Sequence, residues 1–446
     1  MFKNLNIQYF KLIFISFSII SFVFLSGVKY DFFQFRYLIF LLLVPCLFKF
    51  YYDIKIKNYN FLIFFTFLFI ILFTHIYSNL YYEKNELTIY SLFGVIFLLL
   101  ISIISYYYFK YINKNIDFII KFFLLIFFSS CFYNIYNYQP DAPFFCGGIP
   151  NFIKMSSMCE ICPTKRLDNV RISFKEFIFN ENSHLGMIAP SILAYSIYKM
   201  TSQKITIIYK FLISIFIVIC FIKSSTTLYV GTILSLVIII LFNYKALNRK
   251  ALLSFFLLII FFVTNLSLSK ECKTRFVPIY GTFNNDKINS NHHVTEGINK
   301  KLALKISDAL DNKGSLSSGI YFHALMIAKR SIVEKPFGWG LNRYDQAFNH
   351  YNKIKPSKSQ RLNNYNNKDG TNNLVKIVVE FGVFSIFIYL FIFLFLINNK
   401  ISLELKLFYL PFIITQSIRG AGYFNGGFAL IILLMLFTYI NKYKKL

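Results

Sequence analysis

Apolar residues fill the chain in blocks of about 20, and a helix of that length crosses a bilayer core roughly 30 Å thick. The pattern predicts twelve membrane-spanning helices, near residues 11–29, 37–52, 60–77, 88–109, 116–136, 183–200, 204–222, 226–244, 250–268, 373–397, 402–418 and 424–441. The first block is long and lacks a small-residue cleavage site, so we interpret it as a retained span and not a signal peptide. The predicted fold class is all-α: one polytopic transmembrane helical bundle, residues 1–446, with a long, partly helical extracytoplasmic loop between spans 9 and 10.

Composition narrows the class of protein further. Hydrophobic residues make up 56% of the chain and charged residues 15%, which excludes a disordered chain and argues against a soluble one. The net charge of +27 would suggest nucleic-acid binding in a soluble protein. Most basic residues here flank the apolar blocks, which favours contact with anionic membrane lipids. We therefore expect membrane lipids and no nucleic acid as partners.

The distribution of Lys and Arg predicts the sidedness of the chain. With a cytoplasmic N-terminus, the short inner segments hold eighteen basic residues: Lys3, Lys11, Lys49, Lys55, Lys57, Lys110, Lys114, Lys199, Lys204, Lys210, Lys245, Arg249, Lys250, Lys400, Lys406, Lys442, Lys444 and Lys445. The short outer segments then hold five: Lys29, Arg36, Lys84, Lys223 and Arg419. Because short loops rich in Lys and Arg resist translocation, both termini are predicted to be cytoplasmic.

This orientation puts two long polar segments outside the membrane, a first periplasmic loop over 137–182 and a large periplasmic loop over 269–372. The second far exceeds the length of ordinary connections, and such loops usually carry function. Helical apolar spacing is evident within it over 320–333. We find no internal repeat, which weakens the interpretation as an inverted-repeat transporter.

The seven cysteines leave alternatives open. Cys46, Cys131 and Cys220 lie in predicted spans, and Cys146, Cys159, Cys162 and Cys272 lie in outer segments. Cys159 and Cys162 form a C-x-x-C with no second pair and no nearby His, so a disulfide or free thiols are favoured over zinc. We predict no metal site and no cofactor.

Unusual polar residues cluster at the predicted outer face. Arg171 precedes the sixth span, and Asn182 and His184 open it; these residues either form a capped helix start or face a polar cavity. Lys223 precedes four hydroxyl side chains at 224–227, which are either an ordinary polar turn or donors to a diphosphate.

The large loop carries further candidates. His323 lies in its predicted helix, a Gly-Trp-Gly turn follows at 338–340, and Arg343 and His350 come next. Glycine permits backbone geometry there that is closed to other residues.

Charged residues also enter the last spans. Lys376 and Glu380 are four residues apart in an apolar run, so on a helix they share a face, neutralise each other and point inward. Arg419 is followed by four glycines within 420–427, which form either backbone bent around a ligand or a re-entrant turn.

These landmarks, in this order, resemble the O-antigen ligase and O-antigen polymerase superfamily of polytopic membrane proteins. The family's long periplasmic loop carries a helix, a Pro-x-x-Gly-x-Gly-like segment and a His-Asn pair opening a span that continues to Glu-x-Gly. Residues 336–340 (Pro-Phe-Gly-Trp-Gly) are similar to the first segment, one residue shorter, and Asn372 with residues 380–382 (Glu-Phe-Gly) to the second. The resemblance covers about 170–395. Thr371 stands where ligases have His, which favours a polymerase-like member.

The resemblance implies an enzyme, a membrane glycosyltransferase of polysaccharide or lipopolysaccharide biosynthesis. It would transfer a glycan from undecaprenyl diphosphate to a sugar hydroxyl at the periplasmic face of the bacterial inner membrane. Candidates for binding the diphosphate are Arg171, Lys223, Arg343 and Arg419. Candidates for the catalytic base are His350, His323, His184 and Glu380. Candidates for contacting the substrate are Asn182, Thr371, Asn372, Gly338 and Gly340.

The expected partners are the lipid-linked glycan and, in a polymerase, a chain-length regulator. A transporter or flippase of lipid-linked oligosaccharide is the alternative function, since twelve spans with inward charges would suit it. Its distinctive charges should lie near mid-membrane, whereas those of this chain concentrate at the outer face.

Overall fold

The computed structural model describes residues 2–24, 29–30, 33–55, 66, 68–69, 72–73, 75–76, 89–136, 182–203, 205–222, 226–268, 316–354, 370, 372–420, 422 and 427–443. These residues are helical throughout, apart from irregular turns and one antiparallel ribbon of two-residue strands, β1 (Lys29–Tyr30) and β2 (Phe33–Gln34). The predicted all-α class is therefore confirmed.

The helices follow the apolar blocks. They are α1 (Phe2–Val23), α2 (Leu43–Lys55, after a 3-10 turn Phe35–Leu42), α3 (Ile89–Lys114), α4 (Ile116–Tyr136), α5 (Asn182–Ser202), α6 (Ile207–Ile222), α7 (Thr226–Asn243), α8 (Arg249–Leu268), α9 (Leu316–Glu334), α10 (Tyr344–Ile354), α11 (Asn373–Phe381), α12 (Ser385–Ile397), α13 (Leu403–Ile418) and α14 (Phe428–Tyr443). The predicted loop helix over 320–333 is found as α9. Most of the predicted span 60–77 lies outside the described residues.

Two of the differences from the predicted boundaries have a visible structural cause. The first helix ends at Val23 instead of residue 29, because the chain has turned into β1 by Lys29. The predicted span 373–397 is broken into α11 and α12 by Gly382, whose φ of 55° a right-handed helix does not allow.

Three helices within the described residues are long and apolar enough to cross a membrane: Leu92–Lys114, Thr226–Ala246 and Asn373–Ile397. Shorter apolar helices cover Gln8–Val23, Ile207–Cys220 and Phe428–Lys442. The total of twelve spans stays a prediction.

Helix α13 runs opposite to both α5 and α7, which gives the bundle two ends. At the first, here termed the basic end, Lys406 Nζ donates to Asn243 Oδ1 at 2.6 Å and Lys199 pairs with Glu404 at 2.9 Å. At the other, termed the glycine end, Gly420 lies against Asn373. Gly427 there lies against Val23, so α1 and α14 run in opposite directions.

The centre of the bundle is formed by α5, α7 and α13, which pack closely through small side chains. A Cβ at Gly231 would come within 2.6 Å of the Thr415 side chain, and Ser191 Oγ donates to the Phe408 carbonyl. Large apolar side chains on α6, α8 and α12 point away from this core, among them Ile207, Leu253 and Phe387. An exposed apolar surface of this extent is typical of contact with lipid or another protein.

Candidate functional site

The two family-like segments contact each other directly at the end of α11. Trp339 N–H donates to the Val379 carbonyl and Gly340 N–H to the Glu380 carbonyl, both at 2.9 Å. Val383 N–H returns a hydrogen bond to the Pro336 carbonyl at 2.8 Å. Residues 336–344 and 379–383, termed the motif junction from here on, are thus joined through their backbones.

Glycine is required at two positions in the motif junction. Gly338 and Gly382 have φ of 83° and 55°, which L side chains rarely adopt. A Cβ on Gly338 would overlap the Glu380 carbonyl, and one on Gly382 would overlap the Pro336 carbonyl. Gly340, with φ of 97°, extends the same strained turn. The two segments are too close for a substrate to lie between them. Gly338 and Gly340 therefore serve to let the two backbones approach each other.

The Glu380 carboxylate is buried and anchors the loop. It accepts the Asn342 N–H at 2.8 Å and the Tyr344 N–H at 3.1 Å, and Lys376 Nζ lies 3.7 Å away. The predicted Lys376–Glu380 pairing on one inward face is therefore confirmed. Tyr344 begins α10, so the carboxylate also lies at the positive end of a helix dipole. With both oxygens engaged, Glu380 fits an anchoring role better than that of a base.

Cationic groups gather around this anchor. The Arg343 side chain is fully buried, and Lys335 Nζ lies 3.3 Å from the centroid of the Trp339 ring. Burial and then the charge of Arg343 lower the pKa of Lys335 to about 8, and burial also lowers the pKa of Arg343. The second cause of the Lys335 shift shows that the positive charge of Arg343 acts on Lys335.

The two loop histidines differ in accessibility. His323, on α9, is partly buried edge-on to Phe348 at 5.3 Å, and burial lowers its pKa. The His350 side chain, on α10, is 45% exposed; its ring lies 5.3 Å from Trp339 and its Nε2 4.0 Å from the Glu334 carboxylate. Of the two, His350 is the better placed to meet an external substrate.

His75, which the sequence interpretation missed, contacts the motif junction from another segment of the chain. Its Nε2 lies 2.9 Å from the Glu380 carbonyl, and its ring stacks on Phe381 at 5.0 Å with an interplanar angle of 11°. A carbonyl only accepts, so Nε2 carries the proton. A histidine within a predicted span was the available signal, because ionisable groups at membrane depth seldom face lipid.

We expect His75→Phe to lower the free energy of unfolding by about 1 kcal/mol, the usual worth of one hydrogen bond, while retaining the aromatic stack. His75→Ala should cost more, because the contact with Phe381 is lost as well. Unfolding midpoints in detergent would measure both. Wild-type midpoints for both variants would mean that His75 does not hold the junction.

The start of α11 and the end of α13 meet at the glycine end. Asn372 caps α11, its Oδ1 accepting the Val375 N–H at 2.7 Å, so this buried side chain is already engaged. Gly420 lies against Asn373, which places the preceding Arg419, the partly buried cap of α13, beside the start of α11.

The remaining candidates are described only in part or not at all. Arg171, Lys223 and Thr371 lie outside the described residues, as do Cys159 and Cys162. For Asn182 and His184 only the backbone at the start of α5 is described. Within the part of the chain that the structure covers, no group of three or more His, Cys, Asp or Glu side chains could hold a metal ion.

Comparisons of the chain with protein families, curated proteins and solved structures find no match. The resemblance to the O-antigen enzymes therefore depends only on the motif segments of the sequence.

Proposed function

We propose that the protein is a membrane glycosyltransferase of the O-antigen polymerase or ligase type. It transfers a glycan from undecaprenyl diphosphate to a sugar hydroxyl at the periplasmic face of the inner membrane. The observation that carries the proposal is the motif junction: the two segments that resemble the family pair backbone to backbone although the paired residues are 40 or more positions apart in the chain.

The charge at the junction supports this chemistry. A departing diphosphate needs cations fixed in place before the reaction, because preorganised charge stabilises developing negative charge most strongly in a water-poor site. Lys376 pairs with the anchoring carboxylate of Glu380, and Lys335 and Arg343 lie close enough in the same junction for the charge of Arg343 to act on Lys335. Arg419 comes to the same end of the bundle from α13.

The acceptor hydroxyl needs a base within hydrogen-bond reach. His350 is the first candidate for this base, because it is more exposed than His323. His323 supports α10 from behind, and His184 at the start of α5 stays a candidate. Glu380 ranks behind these histidines as a base, because each of its oxygens already accepts a backbone N–H.

The proposed orientation puts the basic end at the cytoplasmic face of the membrane and the motif junction near the periplasmic face. Lys199, Lys406 and Glu404 meet at the basic end, together with the ends of helices that the Lys and Arg distribution assigns to the inner face. In this arrangement twelve spans cross the inner membrane and both termini are cytoplasmic.

A transporter or flippase of lipid-linked oligosaccharide is the second candidate. The break at Gly382 favours it, because interrupted helices with charged residues often form transport sites. Against it, the charged Lys376 and Glu380 are already satisfied by each other and by the loop.

Reconstitution separates the two functions. Proteoliposomes containing the protein and a polyprenyl-diphosphate-linked glycan should release free lipid diphosphate and form longer or transferred glycans. Movement of the intact lipid-linked glycan without release of diphosphate would instead establish transport and contradict the proposed enzyme.

Arg419→Ala and Arg171→Ala should each reduce elongation by at least about 100-fold, as loss of a preorganised electrostatic group does in other enzymes. Arg249→Ala, at the exposed start of α8, is the matched control and should retain activity. Measured turnover in proteoliposomes decides the outcome. Full activity in both test variants would remove these arginines from the diphosphate site.

A further inference from the structure

The last turn of helix α9 exposes large apolar side chains. Ala324, Ile327 and Ala328 are buried in one cluster with Val375 of α11, whereas Ile332 and Val333 are 44% and 76% exposed. A helix in water normally buries its large apolar side chains. The end of α9 therefore presents an apolar surface that a soluble loop would bury.

The exposed apolar surface continues from α9 onto α12. Phe337, four residues after Val333, is 63% exposed, and its ring lies 6.0 Å from that of Phe384. Phe384 in turn stacks on Phe387 at 6.4 Å. Ile332, Val333, Phe337, Phe384 and Phe387 are termed the apolar strip.

We propose that the apolar strip lies in the outer leaflet of the bilayer, so that the α9 edge of the large loop is anchored among lipid acyl chains. The proposal goes beyond glycan transfer and holds for an enzyme or a transporter alike. It requires only that α11 and α12 cross the membrane, for which their length and apolar character are sufficient.

The depth of Phe384 agrees with this location. Phe384 precedes Asn398, at the basic end, by fourteen residues, or about 21 Å at 1.5 Å per residue. In a hydrocarbon core of about 30 Å, this leaves Phe384 and the adjacent Phe337 roughly 9 Å below the outer boundary. Interfacial helices bury their apolar faces to about 5–10 Å, so α9 would lie at a typical depth.

An exposed lysine beside the strip favours a phospholipid surface as the occupant over a second copy of the chain. Lys329 is exposed one turn before Val333. A lysine side chain beside a buried apolar face extends to lipid phosphates. Continuity with the exposed apolar face of α12 supports the same occupant.

The single tryptophan of the chain permits a direct test. In a Trp339→Phe background, one Trp is introduced by Val333→Trp, Phe337→Trp, Phe387→Trp or, as the control on exposed α10, Asn349→Trp. Each full-length variant is reconstituted with phosphatidylcholine brominated near the headgroup or near the chain end. The three substitutions are also measured with Trp339 retained, in case the background variant folds poorly.

Bromine near the headgroup should quench roughly half of the Trp fluorescence in the 333 and 337 variants and little in the 349 variant. The Trp at 387 lies one turn deeper, so bromine near the chain end should quench it most. The proposal would be overturned if the Trp at 387 were quenched while those at 333 and 337 were quenched as little as the one at 349; α12 would still lie in the membrane. If the Trp at 387 were not quenched either, both the location of the apolar strip and that of α12 in the membrane would be overturned.

Discussion

Glu380→Gln should lower the free energy of unfolding by about 3 kcal/mol, because it removes one partner of a buried ion pair. The wild-type carboxylate accepts two backbone N–H groups, from Asn342 and Tyr344, and neutralises Lys376. A glutamine amide offers one acceptor oxygen and presents its NH₂ group to the other N–H donor. The loop should then detach from α11, which unfolding in detergent and protease cleavage within 316–354 would both report.

Glu404→Gln is the matched control for this prediction. Glu404 also pairs with a lysine, Lys199, at 2.9 Å, but its side chain is 34% exposed. Lys199, whose side chain is 10% exposed, keeps its hydrogen bond to Gln203 Oε1 at 3.0 Å, and water can reach the partly exposed Glu404 site, so this variant should unfold near the wild-type midpoint. Equal losses for the two variants would show that Glu380 is not the anchor of the loop.

Gly382→Ala is expected to have the second large effect, a loss of at least about 2 kcal/mol together with loss of the proposed transfer activity. Alanine at φ of 55° is strained by roughly 1–2 kcal/mol, and its Cβ would overlap the Pro336 carbonyl. Relieving that overlap breaks the hydrogen bond from Val383 to Pro336. Unfolding midpoints and turnover in proteoliposomes would measure the two losses.

Val383→Ala, one residue further, tests whether the backbone is the cause. The Val383 side chain is 39% exposed, and its N–H bond to Pro336 is unaffected by truncation. This variant should lose less than about 1 kcal/mol, as surface-facing truncations usually do. A Gly382→Ala protein as stable and active as Val383→Ala would contradict the requirement for glycine.

The sequence predicted the features that depend on local pattern. Apolar blocks predicted helices at every block that the described residues cover well, because a block long enough to cross a bilayer must satisfy its backbone internally. The spacing of Lys376 and Glu380 predicted their pairing, because residues four apart lie on the same face of a helix.

Features that depend on distant contacts were not predictable from one sequence. A hydropathy pattern carries no information about the backbone angle φ. The break at Gly382, which lies within an apolar run, was therefore not predicted. His75 meets Glu380 across 305 residues, and no spacing rule connects them. Helix α10 was missed although Ala347, Phe348 and Tyr351 have helical spacing, because its remaining residues are polar.

Translation order gives the Glu380 anchor a further consequence. Tyr344 and Asn342 leave the ribosome 36 or more residues before the carboxylate that accepts their N–H groups. The hairpin of α9 and α10 therefore lacks this anchor until α11 has been synthesised. Completion of the hairpin's fold is in this way tied to a later segment, so a nascent chain halted before α11 carries an unanchored hairpin.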